Sequence, residues 1–280
     1  MVNYIVDDAP KAYIRGYRII GRENKMLKQK ILNREKIIGT HINFSDPSVG
    51  RIAGLAGFDY IWIDTEHNYI SFESLLAQII TVKSSGTSVI VRVPQDDLTA
   101  TKKVLEMGPD GIVFPMVRSA EEANRLISYT LYPPYGRRGF GPMNAVGYGA
   151  FDTLDFVANN HKTMCRFIQI EHIDAVKNLD EIMENEYIDG YIIGANDLSG
   201  SIGELCNTRG EHTVALINEA ISKLKAMGKY VGLSTGDYSE KNLLYWREMG
   251  VDMISAGADF DFLTLGMKKT REDMSRIIKE

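Results

Sequence analysis

The stretch YIWIDTEHNYISF, residues 60–72, places Asp64, Glu66 and His67 directly behind the apolar run Tyr60–Ile63. A carboxylate partner fixes a histidine's tautomer and raises its basicity, as a general base requires. Of the five histidines, only His67 has carboxylates both one and three positions before it. The alternative is a loop histidine satisfied by its neighbours. In SVIVRVP, residues 88–94, Arg92 interrupts an otherwise apolar segment. An arginine keeps its charge at neutral pH, so it must be paired or face a polar cavity. It can pair with Asp64 or Glu66, or it can bind a substrate carboxylate or an enolate oxygen. RFIQIEH ends in Gln169, Glu171 and His172, and GYIIGANDLSG carries Ala195, Asn196 and Asp197. Glu171 and Asp197 at the ends of neighbouring strands suit a hard divalent cation, which takes one or two protein carboxylates. Gln169 shares the face of Glu171 by the strand period of two. The plainer alternative makes Asp197 a helix cap and Glu171 a surface residue. His41 and His172, also at strand ends, could line the same mouth.

These groups need a scaffold that brings distant segments together. Short β-branched runs occur near Ile37–Thr40, Tyr60–Asp64, Ser88–Val93, Gly111–Phe114, Arg166–Ile170, Gly190–Ile193, Tyr230–Leu233 and Met253–Ala256. They show little polar alternation, as parallel strands buried on both faces do. Helical patterns separate them: Pro47–Ala56, Phe72–Ser85, Leu98–Met107, Ala120–Leu131, Ala175–Met183, Val214–Met227, Ser239–Met249 and Asp259–Ile277. Gly57, Gly86, Gly108, Gly228 and Gly250 follow such runs, where a left-handed cap is wanted. Strands each followed by a helix predict an α/β fold, the (β/α)8 TIM barrel, with a doubly wound open sheet as runner-up. The chain has 280 residues, and one such barrel commonly occupies ~250. Residues 1–23 read as an N-terminal arm and 24–280 as a single barrel domain. Tyr132–Gly149, YPPYGRRGFGPMNAVGYG, is long and rich in Gly and Pro, and its aromatics favour an ordered active-site loop. Catalytic groups of a barrel gather at the C-terminal ends of its strands, where Asp64, Arg92, Glu171 and Asp197 fall.

Composition excludes several classes. The net charge of −5 argues against a nucleic-acid-binding surface as the main function. Cys165 and Cys206, the two cysteines, form no CxxC pair, so neither a zinc knuckle nor a disulfide framework is indicated. No apolar run approaches the ~20 residues of a membrane span, and the N-terminus has no secretory pattern, so a cytoplasmic protein is expected.

With these residues assembled, the chain resembles the class II pyruvate-type aldolases of the HpcH/HpaI family from about Asn24 to its end. The stretches that carry the resemblance are SDPSVGRIAGLAGFDYIWIDTEH, VIVRVP, GIVFPMVRSAEEA, YPPYGRRGFG, QIEHIDAVKNLDEI and IDGYIIGANDLSGSIG. Their order at successive strand ends makes the set specific. The resemblance implies a barrel of the phosphoenolpyruvate/pyruvate-type superfamily that uses Mg²⁺, Mn²⁺ or Co²⁺ to stabilise the enolate of a 2-oxo acid. It implies cleavage of a 4-hydroxy-2-oxo acid to pyruvate and an aldehyde. By matching positions, Glu171 and Asp197 are the metal ligands. His67 is the base, oriented by Asp64. Arg92 holds the 2-oxo oxygen, Gln169 supports metal or substrate, and N–H groups near Ala195, Asn196 and Asp197 hold the pyruvate carboxylate. Arg138, with Tyr135, Arg137, Met143 and Asn144, is a candidate for contacting the aldehyde. The resemblance also implies a hexamer, a dimer of trimers with exchanged C-terminal helices. His172, Asn68, Asn196 and Met143-Asn144 depart from the commoner pattern, which leaves the aldehyde open. A synthase or lyase using the same enolate on a CoA thioester or a 2-oxo acid is the alternative, and a non-enzymatic metabolite-binding barrel a third.

Overall fold

The computed structural model describes residues 26–279; the N-terminal arm expected at 1–23 lies outside the described residues. Eight parallel strands close into a barrel in sequence order: β1 (Ile37–Ile42), β2 (Tyr60–Asp64), β3 (Ser88–Arg92), β4 (Gly111–Phe114), β5 (Cys165–Ile170), β6 (Gly190–Ile193), β7 (Val231–Thr235) and β8 (Met253–Ala258). Pairing of β1 with β8 closes the ring and rules out the open sheet. Helix α1 (Leu27–Leu32) precedes β1. Then come α2 (Pro47–Leu55), α3 (Phe72–Lys83), α4 (Leu98–Met107), α5 (Ala120–Ser128), α6 (Thr153–Thr163), α7 (Ile173–Lys177), α8 (Leu179–Ile182), α9 (Ala195–Gly200), α10 (Glu211–Ala226), α11 (Glu240–Glu248) and α12 (Asp259–Lys279).

Local chemistry sets the helix starts. Asp46, Ser71, Asp97 and Ser119 each accept a hydrogen bond from a first-turn N–H, and Pro47 takes the position where its missing N–H costs nothing. Gly108 ends α4 at φ 76°, a conformation that strains a residue bearing a Cβ.

Two apolar layers result from strand alternation. Ile61, Ile63, Val89, Val91, Ile112, Ile168 and Ile170 face outward, against helix residues such as Leu75, Ile79 and Val104. Tyr60, Trp62, Ile90, Val113, Cys165, Phe167, Ile192 and Met253 face inward and are joined from below by Leu27 and Ile31 of α1. A Cβ on Gly39 would run into the Tyr60 ring, so the glycine makes room for the aromatic inside the barrel. Asp64, Arg92 and Gln169 continue the inward parity of Trp62, Ile90 and Phe167. Polar groups therefore begin where the interior hydrophobic column stops.

The Tyr132–Gly149 segment corrects an expectation. It follows α5 and leads through α6, an element the sequence pattern did not separate, into β5. A helix-to-strand connection lies at the N-terminal end of the barrel, away from the catalytic face. Arg138 is buried there, donating to Leu105 O (3.2 Å), Glu106 Oε1 (3.1 Å) and Asn160 Oδ1 (3.4 Å), with its guanidinium over the Tyr132 ring. Asn144 donates to Met107 O at 2.8 Å, Arg137 stacks on Tyr129 and Tyr135 on His161. Arg138 holds the lower wall in this chain and does not reach the mouth with Glu171.

Asp252 ties the lower rim together. Its carboxylate accepts from Lys36 Nζ (2.7 Å), Lys225 Nζ (2.5 Å) and the Val231 N–H (3.0 Å). Burial pushes this carboxyl up, but those donors outweigh it and hold it below its usual range. A depressed folded-state pKa stabilises above the unfolded value, near 3.9, and that gain disappears as pH falls through the folded value. Asp252→Asn should therefore unfold at lower urea than the native chain at pH 7, and the gap should close below about pH 4. Equal urea midpoints at pH 7 would show that the clamp contributes nothing.

Candidate active site

Arg92 organises the C-terminal mouth. It lies directly across from Asp64 in the β2–β3 register. Its Nε and NH2 donate to Asp64 Oδ1 (2.9 Å) and Oδ2 (2.6 Å), a two-pronged carboxylate pair. Its NH1 lies 3.1 Å from Glu66 Oε2 and donates to Gln169 Oε1 at 3.3 Å. The guanidinium carbon sits 5.8 Å from the Trp62 ring centre, which forms the floor. Burial pushes the Asp64 carboxyl up, but the hydrogen bonds and charge of Arg92 prevail and hold it below its ordinary value. Glu66, which the sequence left without a secure role, is thus an Arg92 partner.

The network continues to Glu171. Gln169 Nε2 donates to Glu171 Oε2 at 2.9 Å, so the shared face predicted from the strand period is real. The Met116 N–H donates to Glu171 Oε1 at 2.6 Å, from a residue at φ 54°. A non-glycine residue held in the left-handed region is the kind of local strain that marks functional positions. Glu171 is only 2 % exposed. Burial pushes its carboxyl up to about 7; the Met116 N–H opposes this and the Asp197 charge adds to it. Asp197, in the first turn of α9, is exposed on the mouth side, and its charge also reaches Glu66. Among the described residues no group of three or more His, Cys, Asp or Glu side chains is gathered to hold a metal. A buried carboxylate destabilised by a second one nonetheless fits a cation that relies on two carboxylates and fills its other positions with water or substrate oxygens.

The remaining predicted residues divide. Ala195 begins α9 behind Gly194, and no side chain caps that helix start. Asn196 is exposed beside it. His67 does not meet Asp64 in a hydrogen bond. Its side chain is 66 % exposed, with Nε2 3.6 Å from Glu66 Oε2. The expected orienting role of Asp64 is therefore corrected: Asp64 accepts from Arg92, which register places opposite it, and also from the Glu66 N–H (3.0 Å) and Asn68 Nδ2 (3.4 Å), while His67 lies beside Glu66 instead. His172 accepts the Asp174 N–H at 3.1 Å and caps α7. His41, weighed equally with His172, points into the barrel and meets Ser234, a polar residue at the end of the seventh strand to which the sequence assigns no role. The available signal was parity, since His41 alternates with Gly39 and Ile37.

The family model described as HpcH/HpaI aldolase/citrate lyase matches residues 38–263. The chain belongs to the HpcH/HpaI aldolase/citrate lyase family. It is 34% identical over 223 residues to a hydroxypyruvate/pyruvate aldolase of Agrobacterium fabrum, covering 79% of this chain and 83% of the relative. It is 31% identical over 235 residues to the 2-keto-3-deoxy-L-rhamnonate aldolase of Escherichia coli K12, covering 83% and 86%. The crystal structure of an HpcH/HpaI aldolase from Desulfitobacterium hafniense superposes with a TM-score of 0.82 at 27% identity, over 89% of this chain and 96% of that one. The match spans every strand that carries a residue of the mouth.

Gly194 leaves no room for a side chain beside Glu171. A Cβ built there would overlap Glu171 Oε2 and crowd its Cβ. Gly194 has φ −105°, so alanine is allowed by the backbone and the clash alone decides. Gly194→Ala should keep the folded circular-dichroism spectrum and weaken Mn²⁺ binding by about tenfold or more, the scale for disturbing a ligand's surroundings. Unchanged affinity by calorimetry would show that the Glu171 position is not critical to the metal.

Proposed function

We propose that this chain is a divalent-cation-dependent aldolase, a carbon–carbon lyase that cleaves a 4-hydroxy-2-oxo acid to pyruvate, or a related 2-oxo acid, and an aldehyde. The observation that carries this reading is the continuous line Asp64–Arg92–Gln169–Glu171, with Asp197 alongside. It sets a fixed cation and two carboxylates around one mouth. Glu171 and Asp197 would hold Mg²⁺, Mn²⁺ or Co²⁺, which would polarise the 2-oxo group.

The chain's own groups do the rest. Arg92, immobilised by Asp64 and Glu66, presents positive charge to the 2-oxo oxygen as it becomes an enolate oxygen. Because the guanidinium is already oriented, little reorganisation is needed as charge develops. Gln169 keeps Arg92 and Glu171 in fixed relation. The first-turn N–H groups of Ala195, Asn196 and Asp197, left without a side-chain cap, receive the substrate carboxylate. His67, at the rim beside Glu66, takes the proton of the 4-hydroxyl as the carbon–carbon bond breaks. Asp64 acts through Arg92 rather than through His67. A synthase or lyase acting on the same enolate remains the second reading. The two relatives more than 30% identical that are described above are named aldolases, which favours cleavage to an aldehyde.

The C-terminal helix supports an oligomer. In α12 Phe260, Phe262, Leu263, Leu265, Met267 and Met274 are all exposed, an apolar surface of the kind that marks an interface. We infer a homo-oligomer, a hexamer built as a dimer of trimers, in which this helix packs on a second copy.

EDTA should abolish cleavage, and added Mg²⁺, Mn²⁺ or Co²⁺ should restore it; activity that survives complete chelation would refute the cation-dependent reading. His67→Ala should keep its calorimetric Mn²⁺ affinity while turnover falls by roughly 10²–10⁴, the usual contribution of a general base. Normal turnover in that variant would remove His67 from the proton transfer.

A further inference from the structure

His41 and Ser234 form a partly buried polar pair that the line from Asp64 to Glu171 does not use. His41 Nδ1 lies 3.0 Å from Gly257 O, and Nε2 lies 3.0 Å from Ser234 Oγ. A carbonyl can only accept, so Nδ1 carries the proton. Burial lowers the pKa of His41; the Gly257 carbonyl opposes this and the charge of Arg92 reinforces it. The ring is thus neutral, Nε2 is an acceptor, and the Ser234 hydroxyl must spend its proton on it. The His41 ring also packs on Trp62, with centres 5.2 Å apart, so both its position and its tautomer are fixed.

Ser234 stands beside the site already described. Ile193 pairs with Leu233 in the β6–β7 register, which puts Ser234 next to Gly194, the residue over which Glu171 Oε2 lies. On its other side Ser234 lines a cavity of about 740 Å³, together with Asn196, Thr235, Ser239 and Asn242. The cavity also reaches Ala195 and Asn196, which stand between Gly194 and Asp197 in the chain, so it opens at the edge of the mouth, on the side where an aldehyde leaving the enolate carbon needs space. With its own proton committed to His41, the Ser234 oxygen faces that space only as an acceptor. An acceptor does not bind a carbonyl oxygen, but it does bind a hydroxyl group.

We propose that Ser234, positioned by His41, is a specificity-determining residue that accepts a hydrogen bond from a hydroxyl on the aldehyde partner, so that the preferred partner is a 2-hydroxyaldehyde rather than an alkyl aldehyde. This rests on the aldolase reading above. Ser234 contacts the partner; His41 acts through Ser234.

The test compares glycolaldehyde with propanal, equal in chain length and differing by hydroxyl for methyl, in condensation with pyruvate. The native enzyme should prefer glycolaldehyde. In Ser234→Ala that preference should fall about tenfold, mostly through KM for glycolaldehyde, as loss of one hydrogen bond implies. Ser234→Thr should restore it. His41→Phe keeps a ring against Trp62 and should reproduce the Ser234→Ala loss, with no further loss in the double variant, because the two act as a unit. An equal fall for both aldehydes, or no fall for glycolaldehyde, would overturn the proposal. Two measurements on the native chain separate this from failure of the aldolase reading. Exchange of the pyruvate methyl hydrogens in D₂O, without aldehyde, reads enolate formation alone, and its absence counts against the aldolase. The ¹⁵N resonances of His41, titrated with each aldehyde, read the Ser234 site without turnover. A shift with glycolaldehyde only supports the proposal, whereas a shift with both or with neither overturns it.

Discussion

The Asp64–Arg92 pair is the constraint on which the mouth depends. Register sets the two opposite one another on adjacent strands, and both prongs of the guanidinium are used. A charge this far inside a barrel is tolerated only because it is answered by a carboxylate of fixed geometry. The answer also decides what is left over. With Nε and NH2 given to Asp64, NH1 is shared between Glu66 and Gln169, and Gln169 in turn fixes one oxygen of Glu171. In the proposed reaction a substrate oxygen entering the mouth would meet a guanidinium held on three sides.

Below this layer the barrel is held by shape. Tyr60 and Phe167 fill the interior where Gly39, Gly111 and Gly190 leave room, and a Cβ at any of these glycines would meet a ring or a neighbouring side chain. Large beside small lets rings and backbone interlock and gives a rigid floor for the polar layer. The same device recurs at Gly194, where the space is taken by a carboxylate instead of a ring.

Much of this was legible in the sequence. The strands read as uninterrupted apolar runs because both faces are buried, and the polar residues that end β2, β3, β5 and β6 converge as the barrel requires. The misreadings have physical causes. The Tyr132–Gly149 segment has the composition of an active-site loop, but its place in the helix-to-strand connection assigns it to the other end, and composition carries no information about ends. Asp64 was read as the partner of His67 because they are close in the chain, whereas the cross-strand neighbour Arg92 holds the better geometry. Ser234 and Thr235 were visible as polar residues closing the seventh strand but carried no role, because hydroxyl residues at a strand end have no periodic signature; only the side chain facing Ser234, His41, gives it meaning. The Met116 N–H was equally invisible, since a backbone donor depends on one positive φ angle rather than on residue type.

Helix α1 adds a consequence for the order of events. Leu27 and Ile31 seal the lower end of the barrel against Tyr60, Phe167 and Met253. Below Trp62 the barrel is therefore closed, and what enters the mouth above that floor leaves by the same side. In the proposed cleavage the 2-oxo acid lies deepest, against Arg92 and Glu171, while the aldehyde lies nearer the rim beside Ser234. A single exit then imposes a queue: the aldehyde departs first, the 2-oxo acid second, and in the reverse direction the 2-oxo acid must be seated before its partner arrives.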